Sequence, residues 1–94
     1  MTITNFSNDV NINSEVEVTA LYFRPEPRAH RLKSFPKRMN WGGREYNFAA
    51  DGLRFLVSHG QQLVQLFDMS DGQATYRLRQ DGDRWTLVGI RGAV

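Results

Sequence analysis

A hydrolytic or metal centre needs a nucleophile, a base and an orienting group within hydrogen-bond reach, and this sequence has few candidates for any of them. The histidines are His30, set among basic residues, and His59, inside Ser58-His59-Gly60. Neither belongs to a nucleophile elbow or to an H-E-x-x-H helix, and both suit structural or solvent-exposed places. Asp51, Asp71 and Asp81 each directly precede a glycine, where turn geometry accounts for them. Asp81 and Asp83 are suited to a weak calcium ion at best, because the rest of an EF-hand loop is missing. The chain contains no cysteine, which excludes disulfides, thiolate nucleophiles and cysteine-held metals. There is no Walker A or dinucleotide-binding glycine loop. These observations point to a protein that is not an enzyme, with no cofactor and no metal site.

Binding is better supported. The net charge is only +2, but its distribution is uneven. Residues 24–44 carry Arg24, Arg28, Arg31, Lys33, Lys37, Arg38 and Arg44 against Glu26 alone, while residues 1–23 hold Asp9, Glu15 and Glu17 and no base. Phosphate backbones reward such clusters through counterion release, and Phe35 or Trp41 inside the stretch could stack a base. Arg31, Lys33, Lys37, Arg38, Trp41 and Arg44 are therefore the candidate contact residues. Nucleic acid is the first candidate partner and an acidic protein the second. The same bases equally suit an edge strand kept soluble by charge, with Arg44 covering Trp41 by a cation–π contact. Arg77, Arg79 and Arg84 form a secondary candidate anion site. An Asp81-Gly82 turn would set Arg79 opposite Arg84, an unfavourable like-charge pair, with Asp68 near Thr75 available to neutralise Arg77.

These side chains must be carried by strands. Ninety-four residues make one domain. From Glu15 the apolar period is two, with Val16, Val18 and Tyr22 on one side and Glu15, Glu17 and Thr19 on the other. Residues 1–14 are rich in Asn, Ser and Thr and read as a flexible lead-in, although their apolar residues leave an added edge strand open. Residues 15–94 read as a single β domain. Arg24-Pro-Glu-Pro-Arg28 reads as a loop, and Ala29 to Phe35 as a strand ended by Pro36.

Gly42-Gly43 is a strong two-residue hairpin signal. It sets Met39 opposite Tyr46 and Trp41 opposite Arg44, with Met39, Trp41, Tyr46 and Phe48 on one face. Asp51-Gly52, Asp71-Gly72 and Asp81-Gly82 read as further turns. The last two place Phe67 opposite Tyr76, Tyr76 opposite Leu87 and Leu78 opposite Trp85. The expected fold is all-β: a single meander of about seven or eight short strands, forming a small barrel or a strongly curled antiparallel sheet.

Pro36-Lys-Arg-Met-Asn-Trp41-Gly-Gly-Arg44-Glu-Tyr46-Asn-Phe48, followed by Tyr76-Arg-Leu78 and Asp81-Gly-Asp-Arg-Trp85-Thr-Leu87, resembles a small prokaryotic all-β domain of unknown function. That domain is found alone or near Y-family-type translesion polymerase subunits. The resemblance covers residues 36–90 and implies a nucleic-acid-repair neighbourhood, with no catalytic residue to carry over. Where the family has a further tryptophan soon after the position of Phe48, this chain has Leu53-Arg-Phe55.

The sequence has no apolar run of membrane-spanning length and no signal-peptide pattern at its start, so a cytoplasmic protein without membrane contact is expected. The functional expectation is a small binding or adaptor module touching nucleic acid through residues 24–44. The alternative is a protein-interaction or self-associating module, monomeric or homodimeric, that uses the basic strip or a sheet edge.

Overall fold

The computed structural model describes residues 9–26 and 31–92. They form seven strands: β1 (Asp9–Glu26), β2 (Arg31–Trp41), β3 (Arg44–Asn47), β4 (Leu53–His59), β5 (Gln62–Ser70), β6 (Ala74–Asp81) and β7 (Arg84–Gly92). All pairings are antiparallel, and the sheet order is β3-β2-β1-β7-β6-β5-β4. Two meanders, β1–β3 and β4–β7, are thus joined through the first and last strands.

β1 organises this arrangement. Over its 18 residues it pairs with β7 from Asp9 to Val16 and with β2 from Glu17 to Glu26. Its register breaks between Asn11 and Ser14 against β7, and around Ala20 against β2. At the first break Asn13 takes φ 54°, a left-handed conformation that asparagine tolerates better than most residues. Bulges sharpen the local twist, and here the sheet curls until β2 faces β5. Phe35 then meets Phe67 edge-on, with ring centroids 5.8 Å apart, and the Ala49 amide donates to the Ser70 carbonyl at 2.8 Å. The sheet is strongly curled but not closed, and β3 and β4 remain its two ends.

The concave side is the core. Phe35 and Met39 from β2, Phe48, Phe67 and Met69 from β5, Tyr76 and Leu78 from β6, and Trp85 and Leu87 from β7 are buried. Val16, Val18, Tyr22, Trp41 and Tyr46 pack against them, half-buried. The faces expected from the period-two pattern are the observed ones, because apolar burial dominates the choice of register parity.

Several local expectations need correction. Arg24, Pro25 and Glu26 are strand rather than loop, paired with Lys33, Leu32 and Arg31. On that stretch β1 has a ladder neighbour on one side only, so a proline is tolerated. β2 does not end at Pro36 but runs through it, and Pro36 is buried beside the register break, another site where proline costs no ladder bond.

The turns are displaced by one residue. Gly72-Gln73 and Gly82-Asp83 occupy the central positions, each with positive φ at the glycine alone, as a type II′ turn requires. An Asp-Gly centre would have placed an aspartate at positive φ. Each ladder therefore slips by two beside its turn, so that Phe67 opposes Leu78, Tyr76 opposes Met69, and Leu78 opposes Leu87. A register break between Arg77 and Leu78 then shifts the rest of the β6–β7 ladder by one more residue and sets Tyr76 opposite Ile90. Gly42 and Gly43 both have positive φ, and Met39–Tyr46 and Trp41–Arg44 pair as expected.

Residues 9–14, within the expected lead-in, belong to β1. Residues 1–8, Arg28 and His30 lie outside the described residues, as do the side chains of Arg31 and His59.

Candidate binding surfaces

The basic stretch does not gather into one exposed strip. Arg24 turns inward across the curl: its guanidinium stacks 3.9 Å from the Phe35 centroid and donates to the carbonyls of Ala50 and Gly52. Lys33 is half-buried and directly opposite Arg24 on the ladder. Arg38 donates to the Asn47 side chain at 3.2 Å and lies 3.9 Å from a Glu45 carboxylate oxygen. Lys37 is exposed, with its ammonium 5.3 Å from the Tyr22 ring. Arg44 is also exposed and sits 5.5 Å over Tyr46 rather than covering Trp41. Phe35 is 2% exposed and cannot offer a stacking face. Trp41 is half-buried, 5.9 Å from Tyr46. Among the candidates with described side chains, Lys37 and Arg44 are therefore exposed, while Lys33, Arg38 and Trp41 are half-buried.

Trp41 begins an aromatic chain. Tyr46 lies 5.5 Å from Tyr76, and Tyr76 lies 5.4 Å from Phe48. Tyr76 donates its hydroxyl to Asp71 Oδ2 at 2.8 Å, while Asp71 Oδ1 accepts from the Gln73 and Ala74 amides at 2.9 Å each. Burial, and then the bond to Asp71, push the Tyr76 hydroxyl up to about 12. Partial burial acts to raise the Asp71 carboxyl, but its amide and hydroxyl donors outweigh that and hold it below its ordinary value. This is the chemistry of a structural turn lock, with both groups fixed in their everyday protonation states.

The arginine trio also reads differently in three dimensions. Arg79 faces Thr86, and Arg84 faces Asp81, so the expected like-charge pair does not exist. Arg79 binds Asp81 at 2.9 Å. Asp68 lies directly across from Arg77, not near Thr75, and accepts two bonds from it at 2.7 Å. Arg84 stands on an open groove with Glu15, Asp81 and Asp83. For Arg77 and Arg79, carboxylates therefore supply the counter-charge that an outside anion would have supplied. Among the described residues no three His, Asp or Glu side chains converge as metal ligands.

The most distinctive surface is a sheet edge, which the sequence anticipates in kind but does not place on β4. β4 is the end strand of the longer meander, paired only with β5 among the described residues. Leu53, Phe55, Leu56 and Val57 on it are 60%, 38%, 59% and 37% exposed, and Leu63 on β5 is 71% exposed. Leu53, Phe55 and Val57 point to the convex face, opposite Asp68, Leu66 and Val64 on β5. Leu56 points to the concave face, where Arg54 donates to Gln65 at 2.7 Å.

His59 pairs with Gln62 across a two-residue Gly60-Gln61 turn, and such a turn is closed by a hydrogen-bonded pair. Alternation along the ladder then leaves the backbone groups of Arg54, Leu56 and Ser58 facing away from β5. Leu53-Arg-Phe-Leu-Val57 is apolar at both parities, the pattern of a strand covered on both faces, so the sequence marks these residues as unusual without showing that their strand lies last in the sheet.

No family model, no curated protein and no solved structure matches this chain, so the likeness of residues 36–90 to the polymerase-associated domain remains an expectation from sequence.

Proposed function

We propose that this chain is a non-enzymatic protein-interaction module that accepts an extended strand at the β4 edge. One observation carries this reading: a strand edge unpaired among the described residues coincides with exposed apolar side chains on both faces of the same strand. Natural proteins usually blunt such edges with charge, proline or extreme shortness. β3, at the other end of the sheet, is blunted in this way, with four residues that include Arg44 and Glu45. β4 has Arg54 as its one residue of fixed charge, and that side chain is tied back to Gln65. Strand addition draws affinity from main-chain bonds and specificity from alternate side chains, and β4 offers both.

The test is a fluorescence-anisotropy titration with a dye-labelled peptide of the sequence of residues 53–59. Saturable binding to the wild-type chain that is lost in Leu56→Lys supports the reading. Binding that is absent, or indifferent to Leu56→Lys, removes it.

A second reading rests on Arg44, exposed over the half-buried Trp41–Tyr46 pair, and on Lys37, exposed over Tyr22 further along β2. This arrangement suits contact with single-stranded nucleic acid, by charge and partial stacking. It is separable from the first, because its affinity should fall steeply with salt and with Lys37→Ala plus Arg44→Ala. Strand addition should be nearly indifferent to both.

A further inference from the structure

We propose that the occupant of the β4 edge is β4 of a second copy of this chain, in an antiparallel pair about a two-fold axis through Leu56. This inference rests on the reading of β4 as a binding edge and adds the partner and the register.

The register follows from three constraints. Arg54, Leu56 and Ser58 carry the free backbone groups, so hydrogen-bonded pairs must form among these residues in the two copies. Side chains directly opposed in an antiparallel ladder share a face, so each residue must meet one of its own parity. Any centre from Arg54 to Ser58 satisfies these two conditions, and the third, that all seven residues of β4 be paired, selects Leu56. Leu56 then meets Leu56 of the second copy, Arg54 meets Ser58, and Phe55 meets Val57. Moving the centre to Arg54 would set two guanidinium groups face to face, an unfavourable opposition. Moving it to Ser58 would leave Leu53 and Phe55 uncovered.

Charge and self-complementarity favour a second copy over an unlike partner. The residues brought together contain no acid and, apart from Arg54, no residue of fixed charge. An acidic partner would therefore find one guanidinium, already bonded to Gln65. An isologous contact needs only that the edge complement itself. The convex stripe of Leu53, Phe55 and Val57 continues into the same stripe of the second copy.

The test is sedimentation equilibrium of the full chain from about 1 to about 200 µM, a range that brackets micromolar association. The expected result is reversible growth from 10.8 kDa to twice that mass, with little dependence on salt. Leu56→Lys places two ammonium groups together on the axis and should weaken the dimer at least about tenfold. Phe23→Lys, which removes an exposed apolar side chain on β1, should leave it unchanged.

Leu56→Cys gives a second readout in a chain without other cysteines. Opposed hydrogen-bonded residues have Cα atoms about 5.5 Å apart, within disulfide range. Mild oxidation should therefore link two copies through this position, whereas Val57→Cys, offset by two residues from its equivalent, should not link. A particle that stays at 10.8 kDa throughout overturns the self-pairing, and the edge reading survives if the labelled peptide still binds. A dimer indifferent to Leu56→Lys, or linked through Val57→Cys but not Leu56→Cys, also overturns it.

Discussion

Tyr76 donates its hydroxyl to the carboxylate of Asp71 across the Gly72-Gln73 turn, at 2.8 Å. The bond joins a core aromatic, 6% exposed, to the residue that shapes the turn. Folding therefore holds Tyr76 neutral, pushed from 10.0 up to about 12. Its contribution to stability is complete below pH 10.0 and is lost as pH rises toward about 12, because the unfolded chain ionises first. Asp71 has the opposite sign. Its carboxyl is held below 3.8, so its contribution is present above that pH and lost as pH falls through the lowered value. Tyrosinate absorbance should show one of the three tyrosines titrating late, and Asp71→Asn should bring it back toward 10.0. A late titration unchanged in Asp71→Asn would contradict this assignment.

Arg24 ties the curl together from the inside. It stacks on Phe35 and reaches the Ala50 and Gly52 carbonyls in the segment that crosses from β3 to β4. Losing charge-assisted bonds to partly buried carbonyls costs roughly 1–3 kcal/mol, so Arg24→Ala should lower urea stability by that amount. Arg24→Lys should recover only part of it, since an ammonium cannot reproduce the planar fork. A loss within about 0.5 kcal/mol, typical of an unengaged surface site, would show that the contact contributes little.

Gly89 records how closely β1 and β7 approach at the Asn13 bulge. A Cβ there would lie 2.9 Å from the Val10 carbonyl oxygen, and backbone gives way less easily than a flexible side chain. Gly89→Ala should therefore destabilise by about 1–3 kcal/mol, the usual range for overpacking. Gly43→Ala meets no atom within 4 Å and suffers only from its positive φ of 77°. Thermal unfolding of the pair separates contact from conformation. Equal stability of Gly89→Ala and wild type would mean that the bulge relaxes.

Much of this architecture was legible because burial fixes parity. Gly42-Gly43 can be placed only one way, so Met39, Trp41, Tyr46 and Phe48 were assigned to one face, and Met39–Tyr46 and Trp41–Arg44 to each other, correctly. The Asp-Gly turns admit two placements one residue apart. Both preserve the faces, so periodicity could not choose between Leu78–Trp85 and Leu78–Leu87, and the supposed Arg79–Arg84 opposition followed from the wrong one. Pro25 and Pro36 misled because a proline is read as a break unless the one-sided stretch of ladder beside it is known. The basic stretch was visible as charge, but whether Arg24 turns inward or Phe35 is covered depends on the curl. The β4 edge was hardest of all: strand order, and hence which strand lies last, is a tertiary property that the residues of β4 do not encode locally.

The central claim is that β4 carries free backbone groups that a second copy pairs, and amide hydrogen exchange measured at low and high protein concentration tests it most directly. The amides of Phe55 and Val57, bonded to β5, should be protected at both. Those of Arg54, Leu56 and Ser58 should exchange rapidly in dilute solution and become protected as concentration rises. Protection of these three amides that is independent of concentration would mean that the edge is covered within one chain, and rapid exchange at every concentration would mean that β4 pairs with nothing of its own kind.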